Sequence, residues 1–213
     1  MTKAYIKICG VKDIKIAKYA INCGASFLGF VFFKNSSRNI SISKCIKILD
    51  EINGKVNTVA VTVNPTHSDL KSYSEMKFTH VQLHGNESLN EVRKINEAYN
   101  LKIIKSFSIS TEYDLDKIKE YCPYIDHILL DSKQKQDMPG GTGQTFDWKI
   151  IRNFYPNKSF FLSGGLNTTN ISDAIKLQKT KYFDVSSGVE NSDGIKDENL
   201  ISGFISKANG ATQ

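Results

Sequence analysis

Two glycine-rich turns, Gly140-Gly141-Thr142-Gly143 and Ser163-Gly164-Gly165-Leu166, precede Asp184-Val185-Ser186-Ser187-Gly188 toward the end of the chain. Glycine has no Cβ to hold an anion away from backbone N–H groups, so the series reads as a phosphate cradle. Its gripping residues would be Gly141, Thr142, Gly143, Gly164, Gly165, Ser186, Ser187 and Gly188. No lysine or arginine falls within these segments, so backbone amides and a helix dipole must meet the charge. His80 and His84 are four apart, a zinc spacing on a helix, but they belong to a strand-like run with Gln82 between them and no acidic third ligand nearby. No metal is expected. Cysteines 9, 23, 45 and 122 form no C-x-x-C pair and match neither a zinc ribbon nor a disulfide framework, which fits a reducing, intracellular compartment.

Short apolar runs at Tyr5–Cys9, Phe27–Phe33, Thr58–Val63, His80–His84, Lys102–Phe107, His127–Asp131, Ser159–Leu162 and Tyr182–Val185 predict eight strands. Between them, spacings such as Ile14, Ala17, Ile21 and Ile42, Cys45, Ile46, Leu49 suit amphipathic helices. Ser43, Ser88 and Thr169 stand where helix N-caps belong, and Gly24 and Gly54 where helices should stop. Eight βα units favour an α/β (β/α)₈ barrel of parallel strands and minimal length. A doubly wound open sheet competes, but Cys9-Gly10-Val11 replaces its G-x-G-x-x-G turn after the first strand. In a barrel alternate residues point inward. That places Lys7 and Cys9, Gln82 and His84, Leu129 and Asp131, and Asp184 and Ser186 inside, near the strand C-termini where barrel enzymes carry their sites.

A chain of 213 residues with 40% hydrophobic content supports one core and hence a single domain over 1–213. The first residues run straight into a strand pattern, so no signal peptide is expected, and no apolar run is long enough for a membrane span. A net charge of +6 and pI near 9.0 suit a nucleic acid or an anionic small substrate. The lysines are scattered among asparagine and isoleucine with no run of four basic residues, so a small-molecule partner is expected, without nucleic acid or membrane.

The chain resembles phosphoribosylanthranilate isomerase over nearly its whole length. The resemblance is carried by Lys7-Ile8-Cys9-Gly10, Leu28-Gly29-Phe30-Val31-Phe32 with Ser37-Arg38-Asn39-Ile40-Ser41, Val81-Gln82-Leu83-His84-Gly85 and Leu129-Leu130-Asp131. Gly140-Gly141-Thr142-Gly143 with Phe146-Asp147-Trp148, Leu162-Ser163-Gly164-Gly165-Leu166 and Asp184-Val185-Ser186-Ser187-Gly188-Val189-Glu190 complete it. Each is weak alone; their order and separations together are specific. One departure is Ser37, where the family commonly carries proline.

The resemblance implies a phosphate-binding TIM barrel that performs an Amadori rearrangement in tryptophan biosynthesis, in the cytoplasm, as a monomer or homodimer and without metal, nucleotide or redox cofactor. Asp131 would be the acid that opens the furanose ring and Cys9 the base that takes the C2′ proton. Such an aspartate must be kept protonated by burial or a nearby anion, and such a thiol benefits from a cation, for which Lys7 stands on the same face. Arg38 would contact the anthranilate carboxylate and Asp184 the sugar hydroxyls, with Lys7, Gln82 and His84 lining the substrate. Phe30, Phe32 and Phe33 could stack on the aryl ring, although strand phenylalanines are more often core. The alternatives are another phosphate-binding barrel enzyme of tryptophan or histidine biosynthesis, or a non-catalytic phosphoribosyl- or nucleic-acid-binding protein.

Overall fold

The computed structural model describes residues 3–132, 147–177 and 180–210. Its strands are β1 (Tyr5–Cys9), β2 (Phe27–Val31), β3 (Asn57–Thr62), β4 (His80–Leu83), β5 (Lys102–Ile109), β6 (His127–Ser132), β7 (Ser159–Leu162) and β8 (Tyr182–Val185). Each pairs in parallel with the next, and β8 pairs with β1 to close a barrel. Parallel strands of this kind are covered on both faces, and all five residues of β2 are buried. Ile6, Ile8, Leu28 and Phe30 face the helices, while Phe27, Val59, Val61, Ile104, Leu129 and Phe161 fill the interior with Cys9 among them.

Helices α1 (Ile14–Cys23), α2 (Ile42–Ile52), α3 (His67–Glu75) and α4 (Leu89–Ala98) follow the first four strands. After β5 the chain makes only one α turn, α5 (Ile118–Tyr121), between 3₁₀ turns at Glu112–Leu115 and Cys122–Tyr124. Between β6 and β7 the described residues hold a 3₁₀ turn, Trp148–Ile151, and α6 (Ile171–Leu177) and α7 (Glu198–Gly210) follow β7 and β8.

Several local expectations shift. Ser88 caps α4 in a reciprocal box with Glu91, but α2 is capped by Ser41, whose extended backbone lets its side chain accept from Lys44 N; Ser43 already lies within the first turn. Thr169 is no cap, because its hydroxyl donates to Asn167 Oδ1 at 2.6 Å, and that same oxygen also accepts from Asn170 N. Gly24 ends α1 in the left-handed conformation as expected, whereas Asn53, one residue before Gly54, takes that role for α2. The buried face of α2 is Cys45, Ile48 and Ile52, leaving Ile42 and Ile46 exposed. Phe30 and Phe32 pack on Phe78 on the helix side of the barrel, so neither can stack on a ligand in the mouth; Phe33 packs toward the interior.

Candidate active site

The strands bring the expected inward residues together at their C-terminal ends. Lys7 is wholly buried, a position that costs an ammonium several kcal/mol unless it is paired. The parallel register sets Lys7 opposite Asp184, and its Nζ donates to Asp184 Oδ1 at 2.8 Å. Ser163 Oγ, at the end of β7, donates to the other oxygen at 3.2 Å. The neighbouring strand contributes by omission. A Cβ on Gly29 would lie 3.1 Å from both Cys9 Sγ and Lys7 Nζ, so glycine there seats the thiol and the amine.

Burial pushes the Cys9 thiol up, Lys7 opposes that shift, Asp184 reinforces it, and Lys196 opposes it again. Lys7 therefore favours the thiolate without overcoming the desolvation. Burial acts in the same direction on Asp131. Burial first, and then the negative charge of Asp184, push its carboxyl up to about 7, against the pull of the Ser132 amide and Lys7. Its Oδ1 accepts from Ser132 N at 2.8 Å, and its Oδ2 lies 3.5 Å from His84 Nε2. A Cβ at Gly164, whose φ is +81°, would come 2.7 Å from Ser132 N and 3.0 Å from Asp131 Oδ1, so this glycine also makes the seat of the carboxyl.

Burial drives His84 down to about 4, leaving a neutral ring. Gln82 Nε2 is 2.8 Å from His84 Nδ1; with the amide donating, the ring hydrogen sits on Nε2, the atom that faces Asp131. The buried Gln82 Oε1 has no partner among the described residues. His80 stands apart, at the other end of the barrel against Phe27 and His127, so His80 and His84 do not converge.

Where the cradle is expected, Gly164 and Gly165 both have positive φ, +81° and +69°, and Asn167 bridges to Gly188 so that the loops after β7 and β8 join. Ser186–Glu190 forms two successive i→i+3 turns, closed by Val189 N donating to Ser186 O and Glu190 N to Ser187 O. Gly141, Thr142 and Gly143 lie outside the described residues.

Glu190, Lys196 and the Glu87–Lys105 pair escaped the sequence reading. Arg38 is gripped in a bidentate pair by Glu190, with Nε to Oε1 at 2.7 Å and Nη2 to Oε2 at 2.6 Å. Lys196 donates to the same carboxylate at 2.5 Å and to Ser186 O at 2.9 Å. The legible signal was Asp193-Gly194, a turn with φ +71° at the glycine, which folds Lys196 back across from Glu190. The third group is a buried pair on the helix side of β5, where Lys105 Nζ donates to Glu87 Oε2 at 2.9 Å and to Gly85 O at 2.9 Å, fastening the loop that follows His84.

A family model described as N-(5'phosphoribosyl)anthranilate (PRA) isomerase matches residues 6–207. The N-(5'-phosphoribosyl)anthranilate isomerase of Sinorhizobium fredii is 37% identical over 206 residues, covering 95% of this chain and 92% of that one. Phosphoribosyl anthranilate isomerase from Thermotoga maritima superposes with a TM-score of 0.86 at 36% identity, over 97% of this chain and 99% of that one. A structure of such an isomerase in complex with reduced 1-(o-carboxyphenylamino)-1-deoxyribulose 5-phosphate gives 0.83 at 34% identity, with the same coverage. With its barrel closed in sequence order and this similarity running almost end to end, the chain belongs to the N-(5'-phosphoribosyl)anthranilate isomerase family.

Proposed function

We propose that the chain converts N-(5'-phosphoribosyl)anthranilate to 1-(2-carboxyphenylamino)-1-deoxyribulose 5-phosphate, with Asp131 as general acid and Cys9 as general base. The observation that carries this reading is a carboxyl raised to about 7 and a thiol beside a buried lysine, both at one barrel mouth. Asp131 gives its proton to the furanose ring oxygen as the C1′–O bond breaks, leaving a protonated Schiff base. Cys9 thiolate then removes the C2′ proton, and the electron pair moves through C1′ to neutralise the iminium as an enolamine. Tautomerisation moves the C2′ hydroxyl proton away and adds one to C1′, giving the aminoketone. Solvent exchange returns a proton to Asp131 and takes one from Cys9, so no net proton is consumed.

Asp184, held by Lys7 and Ser163, has lone pairs remaining for sugar hydroxyls, and neutral His84 can donate from Nε2 without adding charge. The positive-φ glycines after β7 and the turn after β8 are the part of the phosphate cradle we assign within the described residues. A thiol base requires reducing surroundings, which is why we place the reaction in the cytoplasm. The test is direct. The purified chain, with no metal added, is incubated with N-(5'-phosphoribosyl)anthranilate while anthranilate-type fluorescence is followed; a steady loss is expected, and unchanged fluorescence would defeat the proposal.

A further inference from the structure

Arg38 follows β2 in sequence, yet its side chain lies across the end of β1, where a Cβ on Gly10 would come 2.7 Å from its Cδ. The loop that carries it is held from two sides. Lys12 Nζ donates to the Ser37 carbonyl at 2.9 Å, and Glu190, from the loop after β8, takes the Nε and Nη2 edge of the guanidinium. Glu190 is itself fixed by Lys196, whose three protons are spent on Glu190 Oε1, Ser186 O and Ser186 Oγ at 2.5, 2.9 and 3.3 Å. All three charged side chains are largely buried, with 17% of Arg38, 6% of Glu190 and 5% of Lys196 exposed.

Two features of this chain of contacts point to a ligand. A guanidinium has two edges able to grip a carboxylate. Glu190 uses one of them, and among the described residues Nη1 has no protein partner, so a second bidentate edge made by Nη1 and the remaining Nη2 hydrogen is left over. The charge does not balance either. Two cations share one carboxylate, and the negative charge that could offset the excess is either the Cys9 thiolate, which interacts with both Arg38 and Lys196, or an arriving anion.

We infer that Glu190, braced by Lys196, is a positioning residue that locks Arg38 with one edge turned to the substrate's aryl carboxylate, and so sets selectivity for carboxylated over plain aryl amines. The inference rests on the isomerase reading above and adds to it the residues that aim the clamp. It makes an unusual sign prediction. Replacing Glu190 by glutamine raises the local positive charge, which by attraction alone would tighten the binding of an anion. Loss of aim should weaken it instead, because one charge-assisted bond and the fixed orientation disappear together.

The experiment compares Glu190→Gln with the parent chain on two substrates, N-(5'-phosphoribosyl)anthranilate and the same compound made from aniline, which lacks the carboxylate. For the anthranilate compound KM is expected to rise by about tenfold or more, the scale of a hydrogen bond to a charged group, with a much smaller change in kcat. For the aniline compound KM should stay within about twofold, since the orientation lost serves only the carboxylate. A merely structural defect would move both substrates alike. Glu190→Asp keeps the carboxylate one methylene short and should give an intermediate ratio of the two KM values; it carries the test if the glutamine variant does not fold. A folded variant with the parent ratio, or with tighter binding of the anthranilate compound, overturns the inference while leaving the isomerase reading standing. A parent chain that turns over neither compound removes that reading, and the inference with it.

Discussion

Asp131 and Cys9 face opposite electrostatic problems, and the same buried neighbours act on both. Desolvation keeps a proton on the carboxyl, which an acid needs, and also keeps one on the thiol, which a base does not. Lys7 shifts the second balance back in part. Cys9→Ala and Asp131→Asn are each expected to lower kcat by about 10²–10⁴-fold, the usual weight of one proton-transfer partner; steady-state kinetics with circular dichroism on the same samples checks this, and ordinary turnover by either variant would remove its assigned role. Asp131 also has a stability signature. Its folded-state carboxyl lies near 7 against an ordinary 3.8, so the native protein binds more protons than the unfolded chain between those values, and this group's contribution to stability falls as pH rises through about 7. Asp131→Asn should therefore be more stable than the parent at pH 8, with the advantage shrinking as pH falls toward 4. Urea unfolding at both pH values measures it, and an advantage that grows toward pH 4 would refute the assigned shift.

At the scale of elements, the Lys7–Asp184 pair is a tie between the first and last strands, at the seam where the barrel closes. Removing one partner of a buried pair strands the other charge, so Lys7→Met is expected to cost about 3–5 kcal/mol of stability. Denaturant unfolding tests this; a loss under about 1 kcal/mol would mean the seam does not depend on the pair. The strands were legible because each is a short apolar run with chemistry on alternate positions, and parity alone put Lys7, Gln82, Asp131 and Asp184 on one interior. Helix detail was less legible. Both Ser41 and Ser43 have the chemistry of a cap, and only the extended backbone at Ser41 distinguishes them. On α2, isoleucines at 42, 46 and 48 permit more than one buried stripe, so packing against the barrel chose Ile48 over Ile46. Glu87 and Lys105 could not be paired from sequence, because they meet only where the loop after β4 closes on β5, and for Glu190 and Lys196 the one sequence signal was the Asp193-Gly194 turn.

For the whole molecule, the excess positive charge is spread widely, while the site concentrates buried charge within the barrel mouth. The tight backbone after β7 was readable from glycine alone, since Gly164 and Gly165 adopt the left-handed conformations their type permits. Gly165→Asp would force a side chain onto a φ of +69° and bring a negative charge to the cradle. Its KM for phosphorylated substrate is expected to rise by at least about tenfold, and an unchanged KM would move the phosphate elsewhere. The proton chemistry integrates all of these fields, and its most direct test is the pH dependence of kcat/KM for N-(5'-phosphoribosyl)anthranilate. On the proposed mechanism turnover needs Asp131 protonated while Cys9 is ionised, and because the carboxyl has the lower value of the two, the competent state grows with pH only until Asp131 begins to lose its proton. The profile should rise to about pH 7, run flat, and fall only at the elevated value of the Cys9 thiol. An acid limb near 4, or no turnover at any pH, would contradict the pairing of a neutral aspartic acid with a buried thiolate.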